Sequence, residues 1–155
     1  MKNCLERCRM EFVQKTFDEL TNRELYEILR AREAVFVVEQ NCPYYDIDGL
    51  DYPSLHMFYK DDDGAVQACL RIFEKVDEPV TMQIGRVVTV ARGVGLGGKI
   101  LHRAVQWVRD NTDANGIYLE AQQYAIGYYA KEGFQVTSDP FLEDGIPHVQ
   151  MRLKL

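Results

Sequence analysis

The chain changes rhythm several times between polar and apolar positions. Over Glu11–Phe17, Phe12, Gln14 and Thr16 alternate with Val13, Lys15 and Phe17, the two-residue period of a strand. After Thr21 the period widens, and Leu25, Ile28, Leu29, Val35 and Phe36 fall on one stripe of a helix. Thr21-Asn-Arg-Glu24 opens that helix as a capping box: the hydroxyl and the carboxylate satisfy N–H groups that the first turn leaves unpaired. Arg32 lies on the same apolar stripe. It can snorkel off the edge of the face or sit in a buried ion pair beside a cleft, and the first reading is preferred here.

Asn41–Pro53 shows no period and predicts a loop rich in Tyr44, Tyr45, Asp46, Asp48, Asp51 and Tyr52. Leu55–Tyr59 and Ala65–Phe73 predict a hairpin around Asp61-Asp-Asp-Gly64. Met82–Val90 is a β-branched run and reads as a core strand. Ile100, Leu101, Ala104, Val105 and Val108 give the next helix an apolar face. Ile117–Ala121 predicts a short strand. Ala125–Glu132 predicts a short helix stopped by Gly133, and Val149–Leu153 a last strand. The order β-α-β-β-β-α-β-α-β describes an α+β fold, a mixed sheet with helices packed on it. No repeat, low-complexity tract or linker breaks it. Residues 1–155 therefore read as a single domain, with 1–10 as an N-terminal extension.

Composition narrows the function classes. The 155 residues are 46% hydrophobic and 27% charged, ordinary for a globular domain. A chain of this length buries a full core without metal or disulfide support. The net charge of −6 argues against nucleic acid as a partner. It suits a cationic substrate, although surface acidity usually serves only solubility. The longest apolar run, Ala34–Val38, is too short for a membrane, and Met1–Met10 lacks the apolar stretch of a signal peptide. A cytoplasmic location is expected, where Cys4, Cys8, Cys42 and Cys69 stay reduced. The four-residue spacing of Cys4 and Cys8 would suit one face of a helix, yet His56 and His148 lie far away in sequence, so no metal site is expected.

The most informative segment is Arg92-Gly-Val-Gly95-Leu-Gly97, set between the strand run Ile84–Val90 and the helical run Gly98–Val108. Alternate glycines strip side chains from a strand-to-helix turn. The helix N-terminus they expose attracts anions through its N–H groups and its dipole, and Arg92 adds a fixed charge. A phosphorylated cofactor is the natural ligand. Gly93-x-Gly95-x-x-Gly98 matches a dinucleotide fingerprint, but that turn belongs after a first strand and needs several further βαβ units. Gly98-Lys99-Ile100 lacks the hydroxyl of a Walker A turn. A purely structural turn is the remaining alternative.

The segment R-x-x-G-x-G between a strand and a helix resembles the acetyl-coenzyme A turn of the GNAT N-acetyltransferases. Tyr129-Ala-Lys-Glu-Gly133-Phe134 resembles the Y-x-x-x-G-F segment of the same family. Leu29–Tyr44, Asp48-Gly-Leu-Asp51 before His56, Ile84–Val87, Glu120-Ala-Gln122 and Glu143–His148 are similar to its ElaA-type branch. One departure is visible: only Thr89-Val90-Ala91 separates Val88 from Arg92, about two residues short of the usual GNAT connection.

The resemblance implies the acyl-CoA N-acyltransferase fold, with a splayed, mostly antiparallel sheet flanked by helices. It implies acetyl-CoA as cosubstrate, no metal, and direct attack by an amine on the thioester. Pantetheine would pair with the backbone of Val88, Thr89 and Val90 in the splay. The pyrophosphate would meet Arg92, Gly93, Val94, Gly95, Leu96, Gly97 and Gly98. Tyr129 would sit near the sulfur and protonate the departing thiolate, a phenol of pKa near 10 being matched to a thiol. A backbone N–H of Val88 or a neighbour would stabilise the oxyanion. Glu120 is the candidate base, on one strand face with Tyr118 and Gln122. Glu39 and His148 are alternatives. Glu39, Tyr44, His56, Gln122 and His148 are candidate contacts to a small-molecule or peptide amine; the plainer reading is a structural histidine for His56 and His148, and a surface carboxylate or ion pair for Glu120. A homodimer is compatible with the sequence. A GNAT-type acetyl-CoA sensor without transfer activity, or an interaction domain with a purely structural turn, are the alternatives from other classes.

Overall fold

The computed structural model describes residues 9–155. Cys4, Cys8 and most of the expected N-terminal extension lie outside them. The elements are β1 Glu11–Thr16, α1 Asn22–Arg32, β2 Leu55–Lys60, β3 Val66–Glu74, β4 Thr81–Thr89, α2 Leu96–Asn111, β5 Gly116–Gln122, α3 Ile126–Ala130, β6 Gln135–Val136, β7 Phe141–Glu143 and β8 Ile146–Lys154. This is the expected order with β6 and β7 added, two strands too short to show a period. The hydrogen-bonded path is β1-β2-β3-β4-β5-β8-β6, with β7 on β8. The described chain divides into two compact units. One comprises the residues up to Arg71 together with Arg86–Ile100. The other comprises Ile72–Gly85 with Leu101–Leu155. β3, β4 and α2 run through both.

In the first unit β1 pairs antiparallel with β2, from Glu11 opposite Lys60 to Thr16 opposite Leu55. The capping box is formed as read: Glu24 N–H donates to Thr21 Oγ1 at 3.1 Å, and Thr21 N–H donates to Glu24 Oε2 at 3.0 Å. Val13, Ile28, Ala31, Val35, Phe58, Val66, Cys69 and Val88 close the core, with Leu20 and Phe36 at its margin. Full burial of a side chain such as Ile28 or Phe58 contributes about 1.5–3 kcal/mol. The α-helix ends sooner than its stripe suggested. Glu33–Glu39 is π-helical, with the Gln40 and Cys42 N–H groups donating five residues back to Val35 and Val37 at 3.1 Å each. The wider turn rotates the stripe, so Val35 is buried while Val38 is exposed.

In the second unit β5 pairs antiparallel with β8, from Gly116 opposite Lys154 to Gln122 opposite His148. Strand alternation sorts the faces. Ile117, Leu119 and Ala121 with Val149, Met151 and Leu153 are buried. Tyr118, Glu120 and Gln122 share the other face with Arg152, Gln150 and His148. β4 pairs in parallel with β5 only over Thr81–Gln83 against Gly116–Tyr118. Leu101, Ala104, Val105 and Val108 bury the predicted face of α2. Gly133, at φ +97°, ends the turn after α3 as a left-handed residue.

Candidate functional site

The glycine turn belongs to the first unit. β4 stops at Thr89, and the next two N–H groups, of Val90 and Ala91, both donate to the Gln67 carbonyl at 2.8 and 3.3 Å. That shared acceptor bends the chain off β3 and accounts for the short connection to Arg92. Val90 spends its N–H on β3, and alternation aims the Val88 backbone the same way. By the same alternation, Thr89 directs its backbone groups away from β3. Gly93 and Gly95 both have φ +79°, a conformation that side chains disfavour. A Cβ built on Gly93, Gly95 or Gly98 would meet no atom within 4 Å. The glycines are therefore not required by packing against this chain. α2 opens on the Lys99 N–H donating to the Gly95 carbonyl at 3.2 Å, with Leu96 buried as its anchor and Val94 at the surface. Arg92 Nη2 lies 2.7 Å from Glu39 Oε1, and both side chains are exposed. Glu39, an expected acceptor contact, partners the arginine of the anion turn.

The first unit also holds an ion cluster. Arg32 is 1% exposed and does not snorkel. Its Nε meets Asp46 Oδ2 at 2.7 Å and its Nη1 meets Asp51 Oδ1 at 2.7 Å. Arg71 grips both oxygens of Asp48, at 2.8 and 2.6 Å, and reaches Asp51 at 3.0 Å. Arg86 pairs with Asp46 at 2.8 Å and with Asp48 at 3.2 Å, and donates to the Asp46 carbonyl at 3.0 Å. Tyr44 donates its hydroxyl to Asp46. Asp48 caps the Leu50 N–H at 3.0 Å, but pairing with arginine is what holds the loop. Burial alone would raise the Asp48 carboxyl. The bonds from Arg71 and Leu50, and the charges of Arg71 and Arg86, outweigh that and hold it at about 2. Asp51 is likewise lowered, Arg32 and Arg71 overcoming its desolvation. Tyr44 and Asp46 are half-buried between exposed Tyr45 and Ile47, and Asp48 is exposed, so no period marks the cluster in the sequence.

Arg86 carries a backbone anomaly: φ +53° in the middle of β4. Such a residue costs on the order of 1–3 kcal/mol and persists only where its surroundings enforce it. His56 is buried, with Nε2 2.9 Å from the Asp51 carbonyl. That nitrogen donates, since a carbonyl only accepts. Burial lowers the His56 pKa against this bond. Tyr44 and His56 thus support the loop from beneath.

The second unit brings Glu120, Gln122 and His148 onto one face of the β5–β8 ladder. Tyr118 donates its hydroxyl to Glu120 Oε1 at 2.8 Å. The Tyr118 ring lies under Lys75 and Arg152, at 4.7 and 4.9 Å. Burial and the Glu120 carboxylate push the Tyr118 pKa up, so this phenol remains a donor. His148 Nδ1 lies 2.7 Å from the Ile146 carbonyl and carries the hydrogen. Its Nε2 faces Glu143 at 3.6 Å, and its ring stacks on Phe141. Tyr129 is buried edge-on against Tyr128 and Phe134. Burial raises its pKa far above that of a free phenol, so the proton stays on. Among the described residues no group of His, Cys, Asp or Glu is disposed to hold a metal. No described helix is long and apolar enough to cross a membrane.

The sheet path, the turn opening α2 and the short β4–β5 pairing define the acyl-CoA N-acyltransferase fold. The structure of an acyl-CoA N-acyltransferase from Pseudomonas aeruginosa matches with TM-score 0.83 at 37% identity, covering 93% of this chain and 99% of that one. The Escherichia coli ElaA structure matches with TM-score 0.85 at 33% identity over 93% and 99%. A UPF0039 protein of Schizosaccharomyces pombe is 38% identical across 94% of this chain and 98% of its own. Residues 56–155 match the acetyltransferase (GNAT) domain. The chain belongs to the GNAT acetyltransferase family.

Proposed function

We propose that this protein transfers an acetyl group from acetyl-CoA to a primary amine of a small molecule or peptide. The observation that carries the reading is the turn Arg92–Gly98. Two of its glycines are left-handed, and the space a side chain would take at Gly93, Gly95 and Gly98 is open. A turn kept bare for its own packing would show neighbours there. The donor set suits a pyrophosphate: main-chain N–H groups at a helix start, with one arginine.

Acetyl-CoA brings the acetyl group already activated as a thioester. The rest falls to the chain. Arg92 and the backbone from Gly93 to Gly98 hold phosphate oxygens. Thr89 offers its backbone groups as the edge for pantetheine, in place of Val88 and Val90. Tyr129, kept neutral by burial, donates a proton to the leaving sulfur. Glu120, through bound water or directly, takes a proton from the attacking ammonium, and Gln122 and His148 line the approach of the amine.

Calorimetric titration with acetyl-CoA tests the reading. Wild type binds in the micromolar range, about −8 kcal/mol. Gly95→Asn keeps a residue that tolerates the left-handed conformation but fills the open space. It loses at least about tenfold in affinity with an unchanged Tm. An unchanged affinity would remove the pyrophosphate assignment. Tyr129→Phe slows amine-dependent thiol release by about a hundredfold or more and leaves acetyl-CoA affinity intact. Equal turnover would remove Tyr129 as the acid.

A further inference from the structure

We infer that Arg86 is a positioning residue for the strand that meets the coenzyme: Asp46 and Asp48 hold its strained backbone and thereby set the aim of Val87–Thr89. The inference rests on the coenzyme reading above. It starts from the φ of +53° at Arg86, which no glycine relieves. What enforces that conformation is the side chain. Its guanidinium is fixed by Asp46 at 2.8 Å, by Asp48 at 3.2 Å and by the Asp46 carbonyl at 3.0 Å, and it lies over the Tyr44 ring at 5.6 Å.

The clamp itself does not give. Asp46 is held from behind by Arg32 at 2.7 Å, and Asp48 by both arms of Arg71. Arg32 and Arg71 are 1% and 3% exposed, so the frame is buried while Arg86 stands at its outer end. Three residues upstream of Arg86 lies Gln83, the last residue of β4 to pair with β5. Three residues downstream lies Thr89, whose backbone faces away from β3. A left-handed residue at this point changes the direction in which every following carbonyl and N–H is aimed. Freed of its partners, Arg86 relaxes to an extended conformation, and the Thr89 groups rotate with it.

The test compares two ligands and one ligand-free readout. Acetyl-CoA needs both turn and strand; adenosine 3′,5′-bisphosphate, which lacks pantetheine, needs only the turn. Arg86→Ala weakens acetyl-CoA about tenfold and leaves the bisphosphate unchanged. Arg86→Gly, which takes the left-handed conformation without a clamp, retains most of the acetyl-CoA affinity. Hydrogen exchange at the Val88 and Val90 amides, which face β3, measured without ligand, quickens in Arg86→Ala. Equal loss in Ala and Gly variants, parallel loss of both ligands, or no loss would each overturn the inference. Faster exchange in a protein whose wild type binds neither ligand would leave the clamp standing and remove the coenzyme reading. If Arg86→Ala does not fold, Asp48→Asn removes one outer arm and is read with the same ligands.

Discussion

At the scale of single residues, Arg92 faces two claims. It pairs with Glu39 at 2.7 Å, and it stands beside the anion turn. Both groups are exposed, so the pair adds only about 0–1 kcal/mol to the fold. Its effect on an incoming anion is larger in proportion, since Glu39 both neutralises Arg92 and repels phosphate. Glu39→Gln therefore raises coenzyme affinity about two- to fivefold at low salt. The gain shrinks as salt rises and disappears in an Arg92→Gln background. Calorimetry at two salt concentrations checks it; a loss of affinity would mean that Glu39 orients Arg92 toward the ligand. The glycines were legible in the sequence because a left-handed φ restricts which residue can stand at Gly93 and Gly95. The partner of Arg92 was not, because fifty-three positions of chain separate the two and no periodicity links them.

At the scale of elements, the loop after the π-helical stretch is the part the sequence described least well. Its acidic and aromatic content was plain, yet Arg32, the residue that organises it, read as the edge of an apolar face. A helical stripe records which side is buried, and it does not record whether a buried cation has found partners 14 and 19 residues away. The consequence is testable. Arg32→Leu leaves Asp46 and Asp51 buried beside too little positive charge, at a cost of about 3–5 kcal/mol. Thermal unfolding should show a fall of roughly 10 °C. Pairing it with Asp51→Leu recovers part of the loss, since a matched apolar pair tolerates burial better than a lone charge. No recovery in the double variant would mean that the loop needs Asp51 for Arg71 alone. Elements with a clear period, such as α2 and the β5–β8 faces, came through with ends shifted by a few residues. The π-helical turn did not, because a 3.6-residue stripe fits through Phe36 whatever the hydrogen bonding.

For the whole molecule, acid should act in two stages. His56 is held neutral, its folded pKa below the ordinary 6.5. Below that value the unfolded chain takes up a proton that native His56 refuses, so stability begins to fall there. Asp48 titrates at about 2 in the fold against an ordinary 3.8. Its contribution is complete above 3.8 and is lost as pH falls toward 2, with Asp51 following the same direction. Tm measured from neutral to strongly acid pH should decline gently from about 6.5 and steeply below about 4. His56→Gln removes the gentle phase. A flat Tm down to about pH 5 would show that His56 protonates freely in the native protein.

The ion cluster has one more consequence, for warmth. Apolar burial stops gaining with temperature, whereas water releases charged groups more willingly as it is heated, because their hydration is entropically costly. The loop Asn41–Pro53 turns Tyr45, Ile47 and Tyr52 outward and is tethered mainly through Arg32, Arg71 and Arg86. Its attachment is therefore of the kind that keeps its grip at raised temperature while the surrounding core approaches its limit. A change of proton concentration, rather than a change of temperature, is the stimulus to which this part of the molecule is built to yield.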